Sequence, residues 1–212
     1  MRKLLIANRG EIAVRIIRAA RELGIETVAV ASEADAQALH ARSADSCVVI
    51  GPAAASKSYL NEQLILDAAL SVGADAIHPG YGFLSERAAF AQAVIDSGLT
   101  WVGPNPSAIT QMGDKAQAIK TALAAGVPTI PGSIGPVESV DEAVEVASRT
   151  GYPLVIKASA GGGGKGIRVA VDESELRSFI PTAKAESLAA FGSDEVYVER
   201  MVTGAKHIEV QV

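Results

Sequence analysis

Apolar positions in the first hundred residues switch between two periods. The short run over residues 3–7 predicts a buried strand. Ala13, Ile16, Ile17 and Ala20 then recur at helical spacing, with Arg15, Arg18 and Glu22 on the opposite face. Gly24 is placed to end that helix in a left-handed conformation. Further strands are predicted over residues 27–31, 47–50, 75–78 and 99–102. Helices are predicted on the stripe of Leu64, Ile65, Ala68, Ala69 and Val72, and over residues 88–95. Strands alternating with helices through short connections specify α/β architecture, a Rossmann-like parallel sheet covered on both faces.

The pattern changes over residues 103–136, where Pro104, Pro106, Pro128, Pro131 and Pro136 surround one predicted helix at 115–125. This reads as a connector. Beyond it, Ser139 and Glu142 have the spacing of a capping box and open a helix reaching about Arg149. A strand at 154–158, a hairpin partner at 167–171 and a helix capped by Asp172 and Glu175 follow. Pro181 is expected to kink or split that helix, because it removes a backbone donor. Strands at 196–200 and 208–212 complete the pattern. The organisation expected is an α/β domain at 1–112, a connector at 113–136, a small α+β unit at 137–202, and the start of a further one at 203–212.

Composition narrows the function classes. The 212 residues are 49% apolar and 20% charged, which excludes intrinsic disorder. The chain is rich in alanine and only 4% aromatic, which suits close packing of helices on a sheet. A net charge of −5 argues against a nucleic-acid or anionic-membrane footprint, and no run is long enough to span a bilayer. Cys47 is the single cysteine, so an internal disulfide and a cysteine-based zinc site are excluded, and a small buried hydrophobe is the expected role. A soluble, cytoplasmic protein is the expectation.

Two motifs resemble phosphate loops without meeting their requirements. Between Gly51 and Ser58, Ser56 stands where a P-loop needs glycine and Pro52 deletes an amide donor, so a surface connection is expected. At Asn8, Arg9, Gly10 and Glu11 a strand turns into a helix with one glycine of the three a dinucleotide fold carries, and Glu11 would repel a pyrophosphate. Nicotinamide binding is therefore not expected. The strongest feature is Lys157 followed by Gly161, Gly162, Gly163, Gly164, Lys165 and Gly166 between two strands. Glycine lets backbone amides approach an anion closely, and the lysines add charge, which suits a flap over a polyphosphate.

Other candidates are individually weaker. Glu199 ends a strand at a hinge, where a carboxylate can accept from an adenine amino group and hinge amides can read the ring edge. His207 reads equally as a ligand contact or a solvated surface group. Asp114 reads as a helix N-cap and Lys115 as a solvated charge. The loop from His78 to Glu86 follows a strand at the C-terminal edge of the sheet, where ligands bind in such folds, and its aromatics suit a packed turn equally well. His78 has no partner at metal-ligand spacing.

Taken together, the segments Ile6–Ala13, His78–Glu86, Met112–Lys115, Lys157–Gly166 and Lys206–Val212 resemble those of the biotin carboxylase family, across essentially the whole chain. The resemblance implies a pre-ATP-grasp domain, then the small α+β lid of an ATP-grasp fold, truncated before the large ATP-grasp domain. By it, Lys115 and Lys157 contact ATP phosphates, Gly163 and Gly164 lie in the lid, and Glu199, Arg200, Met201 and Val202 hold adenine. His207 reaches the nucleotide, while Tyr81 and Gly82 border the biotin site. Arg200 stands where many family members have lysine. The implied reaction activates bicarbonate with MgATP as carboxyphosphate and carboxylates biotin on a carrier, as the first half-reaction of an acetyl-CoA type carboxylase in fatty acid metabolism.

Magnesium ligands and the catalytic residues are expected downstream of Val212, with neither metal ligands nor catalytic residues in this segment, which is expected to be inactive alone. Implied partners are a biotin carboxyl carrier protein, a carboxyltransferase and a second copy of the chain. Another ATP-grasp ligase, of carbamoyl-phosphate or purine-pathway type, and a non-catalytic nucleotide-binding fragment are the alternatives. The His78–Glu86 loop discriminates against the former.

Overall fold

The computed structural model describes residues 1–158, 167–206 and 208, and divides them into two units that meet in sequence at Gly113 and Asp114. In the first unit, β1 (Lys3–Ile6), β2 (Glu26–Ala31), β3 (Ser46–Val49), β4 (Ala76–His78) and β5 (Thr100–Trp101) form a five-stranded sheet of order β3-β2-β1-β4-β5. All four pairings are parallel. The helices are α1 (Gly10–Glu22), the short α2 (Leu39–Ser43), α3 (Glu62–Ser71), α4 (Ala88–Asp96) and α5 (Pro106–Gly113).

Alternation along the strands divides the core between the two faces. Leu4, Ile6 and Ala76 pack with Ala13, Ile16, Ile17 and Ala20 of α1 on one side. Leu5, Val28, Val30 and Ile77 pack with Ile65, Phe90, Val94 and Trp101 on the other. The expected α/β unit is therefore present, and Gly24 adopts φ +70° after α1. The N-terminal half of the expected connector differs, because α5 occupies residues where no helix was expected. Asn105 caps it by accepting from the Ala108 amide at 2.8 Å, and Pro106 supplies the fixed φ that suits a first helical position. Ile109 anchors it in the core.

Cys47 is exposed, not buried as expected. It lies on β3, which among the described residues pairs with β2 on one side only and turns most of its side chains outward. The P-loop-like segment is a structured connection with a short 3-10 turn at Ala55–Lys57.

The second unit contains α6 (Lys115–Ala124), α7 (Val140–Thr150), β6 (Leu154–Ala158), β7 (Ile167–Ala170), α8 (Glu173–Phe191) and β8 (Val196–Arg200). Its three strands are antiparallel in the order β7-β6-β8. Leu154, Ile156, Val196 and Val198 point toward Ala143, Val146, Leu176 and Ile180 of α7 and α8. Ser139 accepts from the Glu142 amide and Asp172 from the Glu175 amide, as the capping pattern predicts. The helix expected to kink or split at Pro181 does not split, and runs unbroken from Glu173 to Phe191. Pro181 is exposed, so water can meet the Arg177 carbonyl that lacks its helical donor, while buried Ile180 and Ala183 hold the helix on the sheet. The expected strand at 208–212 falls, apart from Ile208, outside the described residues.

Candidate functional site

The candidate residues form two groups, one in each unit. In the first, β1 and β4 are neighbours at the centre of the sheet, and both end at the same edge. The turn after β1 carries Asn8, Arg9, Gly10 and Glu11, and the loop after β4 carries Pro79 through Glu86. Asn8 is 3% exposed, and its Nδ2 donates to the Pro79 carbonyl at 2.7 Å and the Tyr81 carbonyl at 2.8 Å. His78 Nδ1 accepts from the Gly80 amide at 3.0 Å. Burial holds the His78 pKa below its ordinary value, which favours that neutral acceptor form.

Side chains continue this lock. Phe83 stacks on Tyr59 with ring centroids 5.3 Å apart, and the Arg9 guanidinium lies 5.7 Å from the Tyr59 centroid and 5.9 Å from that of Phe83. The Tyr59 hydroxyl donates to Asp35 at 2.7 Å and accepts from the Ser32 amide at 2.9 Å. Burial and the Asp35 carboxylate push the Tyr59 pKa up to about 12, and the tyrosine bond holds Asp35 below the usual carboxylate range. Tyr81 remains 45% exposed, with its hydroxyl donating to the Glu11 carboxylate.

Two recesses open beside these groups. The smaller, about 390 Å³, is lined by Asn8, Glu11, Tyr81, Gly82 and Phe83 among others, so it contains both residues expected to border a biotin site. The larger, about 880 Å³, lies between α1 and the segment that includes Asp35 and His40. None of the described residues singled out as binding residues lines it.

In the second unit, Val155 and Lys157 of β6 share a sheet face with Tyr197 and Glu199 of β8, opposite the helix-covered face. Lys157 pairs in register with Tyr197, and Glu199 with Val155, so Lys157 and Glu199 are diagonal neighbours. The lysine Nζ reaches a glutamate oxygen at 2.5 Å, with the carboxylate side chain 11% and the lysine side chain 35% exposed. The outer edge of β8 is taken by residues 131–137. Pro131 accepts from the Arg200 amide, Ser133 donates to Val198, and Val137 donates to Val196. Gly132 is required there, since a Cβ would stand 2.5 Å from the Val198 carbonyl oxygen.

The expected hinge donors are thereby reduced. The Arg200 amide bonds Pro131 and the Met201 amide bonds Pro153 at 2.9 Å, so these two N–H groups do not face an adenine edge. Met201 and Val202 are themselves exposed. Asp114 is the N-cap of α6, accepting from the Gln117 amide at 2.8 Å, and so places Lys115 at the first helical position. The Lys115 side chain, Gly163, Gly164 and His207 fall outside the described residues. Among the described residues, no group of three or more His, Cys, Asp or Glu side chains could hold a metal ion, and no helix is long and apolar enough to cross a membrane.

Sequence reasoning did not single out Asn8 or Gly132. The former was visible only as part of a strand-to-helix turn, and its partners lie some seventy residues away. For Gly132 the sequence carries no signal beyond a Pro-Gly pair.

Residues 1–109 match the family model described as biotin carboxylase, N-terminal domain, and residues 114–212 match that of the carbamoyl-phosphate synthase L chain, ATP binding domain. Biotin carboxylase 1 of Bacillus subtilis is 56% identical over 212 residues, covering 100% of this chain and 47% of that protein. The propionyl-CoA carboxylase alpha chain of Ruegeria pomeroyi is 50% identical over 99% of this chain and 31% of its own length. Among solved structures, the biotin carboxylase domain dimer of Hydrogenobacter thermophilus 2-oxoglutarate carboxylase, in complex with MgADP, ADP and bicarbonate, superposes with a TM-score of 0.80. It is 47% identical, over 95% of this chain and 44% of that one. The chain spans about half the length of the biotin carboxylases it matches. With the N-terminal-domain model covering residues 1–109 and these relatives aligned over nearly all 212 residues, the chain belongs to the biotin carboxylase family.

Proposed function

We propose that this chain contributes the pre-ATP-grasp domain (1–112), connector (113–136), small lid unit (137–202) and first residues of a further unit (203–212) to an ATP-dependent biotin carboxylase. The observation that carries this reading is the Lys157–Glu199 pair, on the sheet face opposite the core of α7 and α8, inside the segment matching an ATP-binding domain. An ammonium and a carboxylate held side by side offer a phosphate-binding charge and an acceptor for an adenine amino group. Lys115 adds a second charge to the phosphates, Gly163 and Gly164 cover them, and His207 reaches the nucleotide. With two hinge amides already bonded inside the protein, adenine is held by Glu199 and the remaining polar groups of Arg200, Met201 and Val202.

In the proposed reaction, a bicarbonate oxygen attacks the γ-phosphorus of ATP and ADP leaves, giving carboxyphosphate. The biotin ureido nitrogen then takes the carboxyl group as phosphate departs. Lysine charge suits this chemistry, because phosphoryl transfer is chiefly positioning and electrostatic stabilisation. Mg²⁺ enters with the nucleotide, and its ligands are proposed to lie beyond Val212, as are the catalytic residues. Tyr81 and Gly82 border the biotin site. A biotin carboxyl carrier protein, a carboxyltransferase and a second copy of the chain are the proposed partners, in the cytoplasm. An acetyl-CoA type acceptor is proposed, with propionyl-CoA, another acyl-CoA or pyruvate the competing ones, given relatives among propionyl-CoA and pyruvate carboxylases.

The test is ATP hydrolysis by the complete gene product that carries this sequence, with free biotin and with or without bicarbonate. Hydrolysis that requires both bicarbonate and biotin is expected. Activity that requires ammonia or glutamine in place of biotin would assign the carbamoyl-phosphate type named by the second family model.

A further inference from the structure

Loop 79–83 is held in place more firmly than its exposed position requires. The Pro79 and Tyr81 carbonyls accept from Asn8, the Gly80 amide donates to His78, and the Ser85 amide closes the turn on Gly82. Phe83 takes φ +43°, the only left-handed residue other than glycine among those described. A non-glycine residue keeps such a conformation only where its surroundings over-determine it, and such residues cluster at functional sites. The phenol of Tyr81 is the one large side chain this arrangement leaves directed at solvent, over the recess it shares with Gly82.

Asn8 is the centre of the lock. Both of its amide protons are used on the loop, and its Oδ1 accepts from the Arg9 amide at 2.9 Å. The side chain is therefore oriented from its own turn and grips two carbonyls two residues apart. Gly80 makes room for it. A Cβ there would lie 2.8 Å from Asn8 Nδ2, and Gly80 sits at φ +66°. No other side chain of this length offers two donors and an acceptor in one plane, whereas aspartate would aim a negative oxygen at two carbonyl oxygens.

We propose that Asn8 is a positioning residue, which fixes the Tyr81 phenol at the mouth of the biotin site by holding the Pro79 and Tyr81 carbonyls. The proposal rests on the biotin-site reading of Tyr81 and Gly82 given above. Although Asn8 borders the recess, it is 3% exposed and both Nδ2 protons are spent on the loop, so its proposed action is through the loop backbone.

The test uses the complete gene product with Asn8→Asp and, separately, Gly80→Ala, which loads the same contact from the loop side. Each is expected to raise KM for free biotin about tenfold to 100-fold while KM for ATP stays within about twofold. Melting temperature reports folding, and if Asn8→Asp does not fold, Gly80→Ala decides. A second readout needs no activity. The Glu11 bond raises the Tyr81 pKa above 10.0, and displacement of the loop is expected to return it toward that value in a ¹³C titration of the labelled ring.

An unchanged biotin KM in a folded variant overturns the proposal, as do parallel rises in both KM values, which mark a merely structural residue. If the unmutated protein does not use biotin, the functional reading fails first and the biotin role of Asn8 with it. The Tyr81 titration then still shows whether Asn8 sets the loop.

Discussion

The two candidate regions are built on opposite principles. Around Asn8 the buried polar groups are bonded within their own unit, Asn8 to loop carbonyls and the Tyr59 hydroxyl to Asp35 and the Ser32 amide, so that geometry is set by contacts inside the unit. Around Lys157 the contact described is an ion pair with Glu199 on a sheet face, with the lysine side chain 35% and the glutamate side chain 11% exposed. The Asn8 cluster can present a substrate edge with little rearrangement. A carboxylate keeps further lone pairs and an ammonium further protons, so the Lys157–Glu199 pair can add charge-assisted contacts to a ligand without first opening. Pre-organisation thus comes from the backbone in one unit and charge from side chains in the other.

The largest effect expected is on the charged region. Lys157→Ala in the complete gene product should lower kcat/KM for ATP by about 100-fold or more, the scale for removing a preorganised contact to transferring charge. Unchanged steady-state kinetics would mean that the phosphates lie elsewhere and that the pair is only structural.

Gly132→Ala should act on stability, not chemistry. Its Cβ would meet the Val198 carbonyl at 2.5 Å, and backbone cannot yield as a flexible side chain does. Overpacking of this kind costs about 1–3 kcal/mol. Chemical denaturation followed by hydrogen exchange should show β8 losing protection while β1 and β4 keep theirs. Equal loss in both units would contradict the separation drawn here.

The smallest effect is a pH response, and it should fall on the other unit. His40 and His78, both in the first unit, have pKa values lowered chiefly by burial. The unfolded chain binds these protons more readily than the folded one, so their contribution to stability is full above the ordinary value of 6.5 and declines as pH falls below it. Hydrogen exchange compared at about pH 7.5 and about pH 5.5 should show α1, β1 and β4 losing protection before β6 and β8 do. A first decline in β6 and β8 would place the sensitive groups in the wrong unit.

How much of this was legible in advance varied with the range of the interaction. The parallel sheet, α1, α3 and α4, and the two capped helices of the second unit were readable, because strand alternation, helical stripes and caps are local, whereas the short α2 carried no such stripe. The readings that failed lacked a neighbour in view. Cys47 looked like a core residue, but among the described residues β3 has a partner on one side only. Of the kink or split expected at Pro181, the split does not occur, because Pro181 faces water while Ile180 is held by the sheet. Which hinge amides are available is likewise a non-local matter, since those of Arg200 and Met201 are taken by the Pro131 and Pro153 carbonyls. The α5 signal was local and present in Asn105 and Pro106, yet a proline-rich stretch concealed it.

The opening pattern of apolar positions determines the element types and their order, and the motifs determine the family, because both are written in residues close together in the chain. Tertiary structure decides which distant groups meet. Asn8 reaches a loop some seventy residues on because β1 and β4 are adjacent, and Lys157 reaches Glu199 because β6 and β8 pair in one register. Those meetings follow from strand order and register, which depend on the packing of the whole sheet and not on any short stretch of sequence.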